Sequence, residues 1–291
     1  MLPMTTEIQH PIAPTAPRTL DRARRLRALA AGPAALILPN AWDAGSAAVI
    51  AGAGAEVIAT TSGGVSWSVG RGDGQRLDRQ EMVDAIRRVA DAVDVPVTAD
   101  IEGGYGPAPD AVAETVRAVV GAGAVGVNLE DSAAVGGPLF GIEEQVARLR
   151  AARRAAADAG LPEFFLNART DVHLFGIGAP ADRPEETLRR AEAYAEAGAD
   201  GLFVPGLLDL DALRELCARS PLPVNAMAVP GGPTATELAA AGVRRISLGT
   251  ALAQAAYTAA HRAATELLTT GGLTTLDGVF DFPTVNAHFT P

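Results

Sequence analysis

Short apolar runs recur along the chain, fenced in by two kinds of punctuation. EVIATTS, VGVNLED, DGLFVPG and RRISLGT each follow an Ala-Gly-type segment: AGAGA at 51–55, GAGA at 121–124, EAGA at 196–199 and AAG at 240–242. LILPN, VTADIE, EFFLNAR and VNAMAV come shortly after Gly32-Pro33, Val95-Pro96, Leu161-Pro162 and Leu222-Pro223. Glycine just past a helix supplies a left-handed C-terminal cap, and proline bars a helix from continuing into the next strand. Between the runs lie segments such as RQEMVDAIRRVADAV and PEETLRRAEAYAEAG, whose apolar residues fall at helical spacing. The runs themselves are continuous rather than alternating, which suits parallel strands buried on both faces.

Eight such βα units in about 250 residues predict a (β/α)8 TIM-type barrel with an N-terminal helix and a C-terminal helical extension. The expected organisation is a disordered tail over 1–17, rich in Pro and Thr, a barrel over 18–270 and an extension over 271–291. The rival is an open doubly wound sheet. It would be expected to carry a G-x-G-x-x-G turn that follows a strand and opens a helix, and no such turn opens a helix here.

Composition narrows the function classes. The net charge is −10 with no basic run, which argues against nucleic acid as a partner. No stretch reaches the roughly 18 apolar residues of a membrane span, and the N-terminus lacks a secretory h-region. A cytoplasmic location is therefore expected. Cys217 is the single cysteine, so neither an internal disulfide nor a cysteine zinc site is available. All 24 Lys+Arg positions are arginine. Without a lysine amine, Schiff-base aldolase and PLP chemistry are closed.

A barrel keeps its chemistry at the C-terminal ends of the strands. Those ends carry Asn40, then Thr60 to Gly64, Thr98/Asp100/Glu102, Asn128/Glu130/Asp131, Asn167/Arg169/Asp171, Asn225 and Ser247. Side chains two apart share one side of a strand, so Asp100 with Glu102, and Asn128 with Glu130 on the adjacent strand, are expected to aim carboxylates at the same mouth. Clustered carboxylates resist joint ionisation unless a cation sits among them, and an all-oxygen set suits Mg²⁺ or Mn²⁺. The alternative is that such acids cap helices or pair with arginines, as for Asp43 and Asp131. Arg169 has the fork geometry for a carboxylate or phosphate, its alternative being an internal salt bridge to Glu130 or Asp171. His173 and Tyr105 are candidate proton donors near the mouth. Cys217 falls on the apolar stripe of LDALRELCARS and reads as a buried hydrophobe.

LPNAWDAGSA, TTSGGVSWSVGRGDG, TADIEGGYG, GVNLEDS and NARTD occur in this order between about Arg22 and Ala264. On these motifs the chain resembles the isocitrate lyase/phosphoenolpyruvate mutase superfamily. The resemblance implies an α-oxo acid substrate held on Mg²⁺, with Ser62, Gly63 and Gly64 on its carboxylate and Arg169 clamping the anion. It implies that Asp73, Asp100 and Glu130 serve the metal and that Asn225 binds a distal carboxylate. It also implies a homo-oligomer, dimer or tetramer. Two departures stand out. Thr98 replaces the first acid of the family's Asp-x-Asp, with Glu102 as a possible substitute ligand. The loop DSAAVGGPLFG lacks the cysteine, lysine and histidine of the lyases and the lysine and asparagine of the mutases. The expected activity is a Mg-dependent lyase working through an enolate, most simply an oxaloacetate decarboxylase-like C–C cleavage. The alternatives are C–P bond chemistry on a phosphonopyruvate-like substrate, or a non-catalytic oxo-acid-binding barrel.

Overall fold

The computed structural model describes residues 17–289. The expected tail over 1–17 lies outside the described residues except for Pro17, where the first helix, Pro17–Ala31, begins. Proline also decides how the sheet starts. Pro39 has no N–H to give to a ladder, so the first apolar run forms two pieces, β1 (Leu36–Leu38) and β2 (Asn40–Ala41). Seven further strands follow: β3 (Ile58–Thr60), β4 (Val97–Asp100), β5 (Gly126–Glu130), β6 (Phe165–Arg169), β7 (Gly201–Phe203), β8 (Val224–Met227) and β9 (Arg245–Ser247).

All neighbours are parallel, in the order β1-β9-β8-β7-β6-β5-β4-β3-β2. Because β1 and β2 flank a single proline, this order returns to its own start, and the sheet is a nearly closed barrel ringed by helices. The predicted fold is therefore observed, with the first of the eight runs split in two. The Asn40 side chain spans the split. Its Oδ1 accepts from Leu248 N–H at 2.8 Å, and its Nδ2 donates to Thr60 O at 3.0 Å.

The helices start where side chains can receive the free N–H groups of a first turn. Asp43, Asp78 and Thr234 cap Ala44–Gly52, Arg79–Asp91 and Ala235–Ala240. Helix Arg79–Asp91 turns Met82, Val83, Ile86, Val89 and Ala90 inward against the sheet. Inside the barrel, the layer beneath the mouth is polar. Asn167 donates to the side-chain oxygens of Asn128 and Asn225 at 2.8 and 3.0 Å. Arg245 donates to Asn225 Oδ1 and Thr98 Oγ1 and sits 5.4 Å from the Phe165 ring centre. Among the described residues no carboxylate pairs with it, and burial pulls its guanidinium down to about 9.

After the barrel, helix Ala251–Thr270 buries only Ala253, and Gly271 ends it in a left-handed turn. The chain then passes through a 3-10 turn (Thr274–Leu276) and helix Phe282–Ala287. It reaches back to the barrel's second helix, where His288 packs on Gly52 so closely that a Cβ there would lie 2.6 Å from its Nδ1. Among the described residues no helix is long and apolar enough to cross a membrane.

Candidate active site

At the C-terminal ends of the strands lies a cleft of about 160 Å³. Its polar lining includes Asn40, Ser62, Asp73, Asp100, Asn128 and Arg169. Asp100 stands at the last position of β4. Its Oδ2 accepts from Ser62 Oγ at 2.8 Å, and its Oδ1 accepts weakly from Glu102 N–H at 3.3 Å. Ser62, Gly63 and Gly64 form the first turn of helix Ser62–Ser68 rather than an irregular loop. Gly63 allows a close approach, since a Cβ there would lie 2.9 Å from Thr250 Cγ2 and 3.0 Å from Asp73 Oδ2. Gly64 lies against Trp42 and Thr61 and does not line the cleft.

Asp73 reaches the cleft from the loop after that helix. Burial raises its carboxyl and the neighbouring Asp100 adds to the shift, while Gly74 N–H and Arg169 pull it back. Neither Asp73 nor Asp100 has an arginine ion pair. The arginine beside them is already engaged: Arg169 Nη1 lies 2.8 Å from Glu130 Oε2 and Nε lies 2.6 Å from Asp171 Oδ1. Burial works against the guanidinium, but Glu130, Asp171 and Asp100 more than offset it and keep Arg169 charged. Burial pushes Glu130 upward against the pull of Arg169. The ion pair foreseen as the alternative for Arg169 is thus present with both acids at once.

Behind this pair stands a second carboxylate network. Ser132 Oγ donates to Asp171 Oδ2 at 2.5 Å, which engages the hydroxyl nearest the 132–138 loop. Asp131 accepts from Asp171 N–H, from Arg190 at 3.0 Å and from the Tyr194 hydroxyl at 2.8 Å. Asp131 and Asp43 thus take the pairing and capping roles expected of them.

Glu130, like Gly64, is not in the cleft lining, and four further sequence candidates stand apart from it. Glu102 turns to the 69–78 loop, where it accepts from Gln75 N–H, and burial with Asp100 pushes its carboxyl up to about 7. Tyr105 donates to Glu102 Oε1 at 3.3 Å, and burial and Glu102 raise its phenol. His173 faces a small apolar pocket between helices Arg183–Glu196 and Leu210–Arg219, where burial and Arg183 pull its imidazole below the ordinary histidine range. Asn225 is 1 % exposed, and its amide is used by Asn167, Arg245, Ser247 and its own backbone neighbours in the polar layer below. Thr98 lies in that layer too, beside Arg245.

Sequence reasoning missed the apolar part of the lining: Leu174, Phe203, Pro205 and Met227. The signal was available in part. Met227 is two residues beyond Asn225 on β8, so strand alternation places it on the same face one level nearer the mouth.

The donor set can be tested for a divalent ion. Among the described residues no three His, Cys, Asp or Glu side chains converge as a ready cage. Mg²⁺ does not require one, because it keeps several waters and takes one or two carboxylates. Asp73 and Asp100 supply two, in a cleft where acids outnumber Arg169. The residues fit a hard, partly hydrated cation.

The family profile described as Phosphoenolpyruvate phosphomutase matches residues 26–268. An uncharacterized protein of Mycobacterium tuberculosis is 40% identical over 229 residues, covering 78% of this chain and 83% of its own. The 2,3-dimethylmalate lyase of Eubacterium barkeri is 32% identical over 224 residues, covering 74% of each chain. A solved structure of oxaloacetate acetylhydrolase with the product oxalate is 27% identical, with a TM-score of 0.83 over 92% of this chain and 94% of that one. On a match that spans nearly the whole barrel, the chain belongs to the isocitrate lyase/phosphoenolpyruvate mutase superfamily of lyases and mutases.

Proposed function

We propose that this protein is a Mg²⁺- or Mn²⁺-dependent lyase that cleaves a C–C bond in a small α-oxo carboxylate through an enolate, as in decarboxylation of oxaloacetate. The observation that carries the reading is the mixed lining of the cleft, which gathers Asp73, Asp100 and Arg169 with Leu174, Phe203, Pro205 and Met227. When bound, the cation supplies Lewis-acid polarisation of the substrate's oxo group.

The chain's own residues do the rest. Arg169, fixed by Glu130 and Asp171, meets the substrate carboxylate in a defined orientation. Gly63, in the first turn of its helix and in the cleft lining, is assigned to offer its N–H to the same anion, whereas Ser62 N–H goes to Asp100 Oδ2 at 3.4 Å. The apolar part of the lining excludes water around C3 and disfavours a further charged group, which suits a four-carbon acid better than a tricarboxylate. As CO₂ departs, the bonding pair moves into the enolate, and a proton delivered to C3 gives the product oxo acid. Because His173 and Tyr105 stand off the cleft, that proton is assigned to water.

The test is oxaloacetate consumption with added Mg²⁺. Wild-type turnover above the metal-catalysed background, falling at least about 100-fold in Asp100→Asn and Glu130→Gln, is expected. Equal rates in wild type and Glu130→Gln would refute the reading. A second reading, C–P cleavage of a phosphonopyruvate-like substrate, is favoured by the mutase description of the matched family. Release of inorganic phosphate in ³¹P NMR separates it from decarboxylation.

The same reading extends to assembly. Leu268, Val279, Phe280 and Phe282 are more than half exposed along the C-terminal arm. A second copy of this chain is the proposed cover, giving a homo-oligomer.

A further inference from the structure

Among the described residues, the three non-glycine residues with positive φ are Gln75 (53°), Glu102 (49°) and Tyr105 (59°). All three meet in one cluster. A Cβ makes that backbone region sterically unfavourable, so such residues persist only where their surroundings impose them. Here the imposing contact is the Glu102 carboxylate. Its Oε2 accepts from Gln75 N–H at 2.5 Å and its Oε1 from the Tyr105 hydroxyl at 3.3 Å.

Three loops converge at this point. A Cβ on Gly103 would lie 3.1 Å from Gln75 Nε2 and 3.2 Å from Ser132 O, and one on Gly74 would lie 2.4 Å from Val135 Cγ2. The 101–106 loop is itself anchored from outside, because the Arg148 guanidinium donates to the carbonyls of Gly103, Gly106 and Pro107. Glu102 is 4 % exposed and absent from the cleft lining, whereas Asp73, two residues before Gln75, is part of it.

We propose that Glu102 is a positioning residue rather than a metal ligand: its carboxylate clasps the 69–78 loop to the end of β4 and so holds Asp73 over the cleft beside Gly63. The importance of Asp73 rests on the functional reading above, but the clasp itself does not. The rigid 101–106 loop is the fixed jaw and the 69–78 loop the held one. A glutamine at 102 keeps an oxygen that accepts from Gln75 N–H; an alanine keeps nothing.

The experiment uses the full chain in EDTA and reads amide hydrogen exchange at Gln75 together with tryptic cleavage after Arg71 and Arg76. Cleavage after Arg219, on a distant helix, is the control. Glu102→Ala is expected to speed Gln75 exchange and both cleavages by about tenfold, with Glu102→Gln within about threefold of wild type. Tyr105→Phe, which removes one clasp bond while leaving the carboxylate, is expected between them and serves if Glu102→Ala does not fold. Titration with Mg²⁺ alone completes the test: Glu102→Gln binds as wild type does, and Asp73→Asn weakens binding. Unchanged Gln75 exchange in Glu102→Ala or Tyr105→Phe overturns the clasp. Loss of Mg²⁺ binding in Glu102→Gln, with exchange intact, overturns it in favour of direct ligation. If oxaloacetate is not turned over but Gln75 exchange responds as stated, the functional reading fails and the clasp stands.

Discussion

Asp131 carries three hydrogen bonds in a fully buried position, and two of them come from one helix through Arg190 and Tyr194. A donor removed there leaves a desolvated carboxylate short of a partner. Tyr194→Phe is expected to lower stability by about 1–3 kcal/mol in urea denaturation with the urea m-value unchanged. Glu102 gives the opposite kind of expectation. Its folded carboxyl titrates near 7 against an ordinary 4.5, so without a cation the native state holds its proton more tightly than the unfolded chain. Its contribution to stability is therefore full below about pH 4.5 and fades as pH rises toward 7. In EDTA, the wild type minus Glu102→Gln stability difference should fall by up to about 3 kcal/mol across that window. Strand alternation was enough to place Asp100 and Thr98 on one face, because both belong to β4. It failed at Glu102 because the chain leaves the strand at residue 101 and enters a left-handed turn, where the period of two no longer applies. Asn225 points inward as strand alternation implies, but lies one level below the cleft lining, a depth that alternation does not specify.

Helices and strands were the most legible part of the chain, since Gly and Pro mark almost every boundary between them. Where an element was missed, local composition was the reason. SGGVSWS has two glycines in seven residues and reads as a loop, yet it forms helix Ser62–Ser68, held by burial of Ser62 to Ser66 against the barrel. That placement makes Gly63 a sensitive position. Gly63→Ala is expected to improve helix propensity but to push a methyl against Asp73 and Thr250, cutting turnover by about tenfold or more with little change in melting temperature. The cap of Arg79–Asp91 behaves more simply. Asp78 accepts from Glu81 N–H at 2.8 Å while Glu81 returns a bond to Asp78 N–H. Asp78→Ala should cost about 1 kcal/mol in chemical denaturation, without altering the cleft.

At the scale of the whole molecule, an acidic barrel carries an apolar arm that its own surface covers only in part. Leu268 is 85 % exposed and Phe282 81 %. Light scattering is expected to show an oligomer, and the double change Leu268→Ser with Phe282→Ser should shift it toward monomer; a wild-type monomer at micromolar concentration would refute this. The arm's apolar content was visible in DGVFDFPTVNAHF, but its exposure was not, because burial depends on what the rest of the fold leaves free. The division of the first strand at Pro39 has a further consequence. The chain passes there from pairing with β9 to pairing with β3, and the Asn40 carboxamide adds a side-chain link at that point, gripping Leu248 on one flank and Thr60 on the other. Since that same residue lines the cleft, occupancy of the cleft is expected to register as a change in hydrogen exchange at the Leu248 amide, which donates to it.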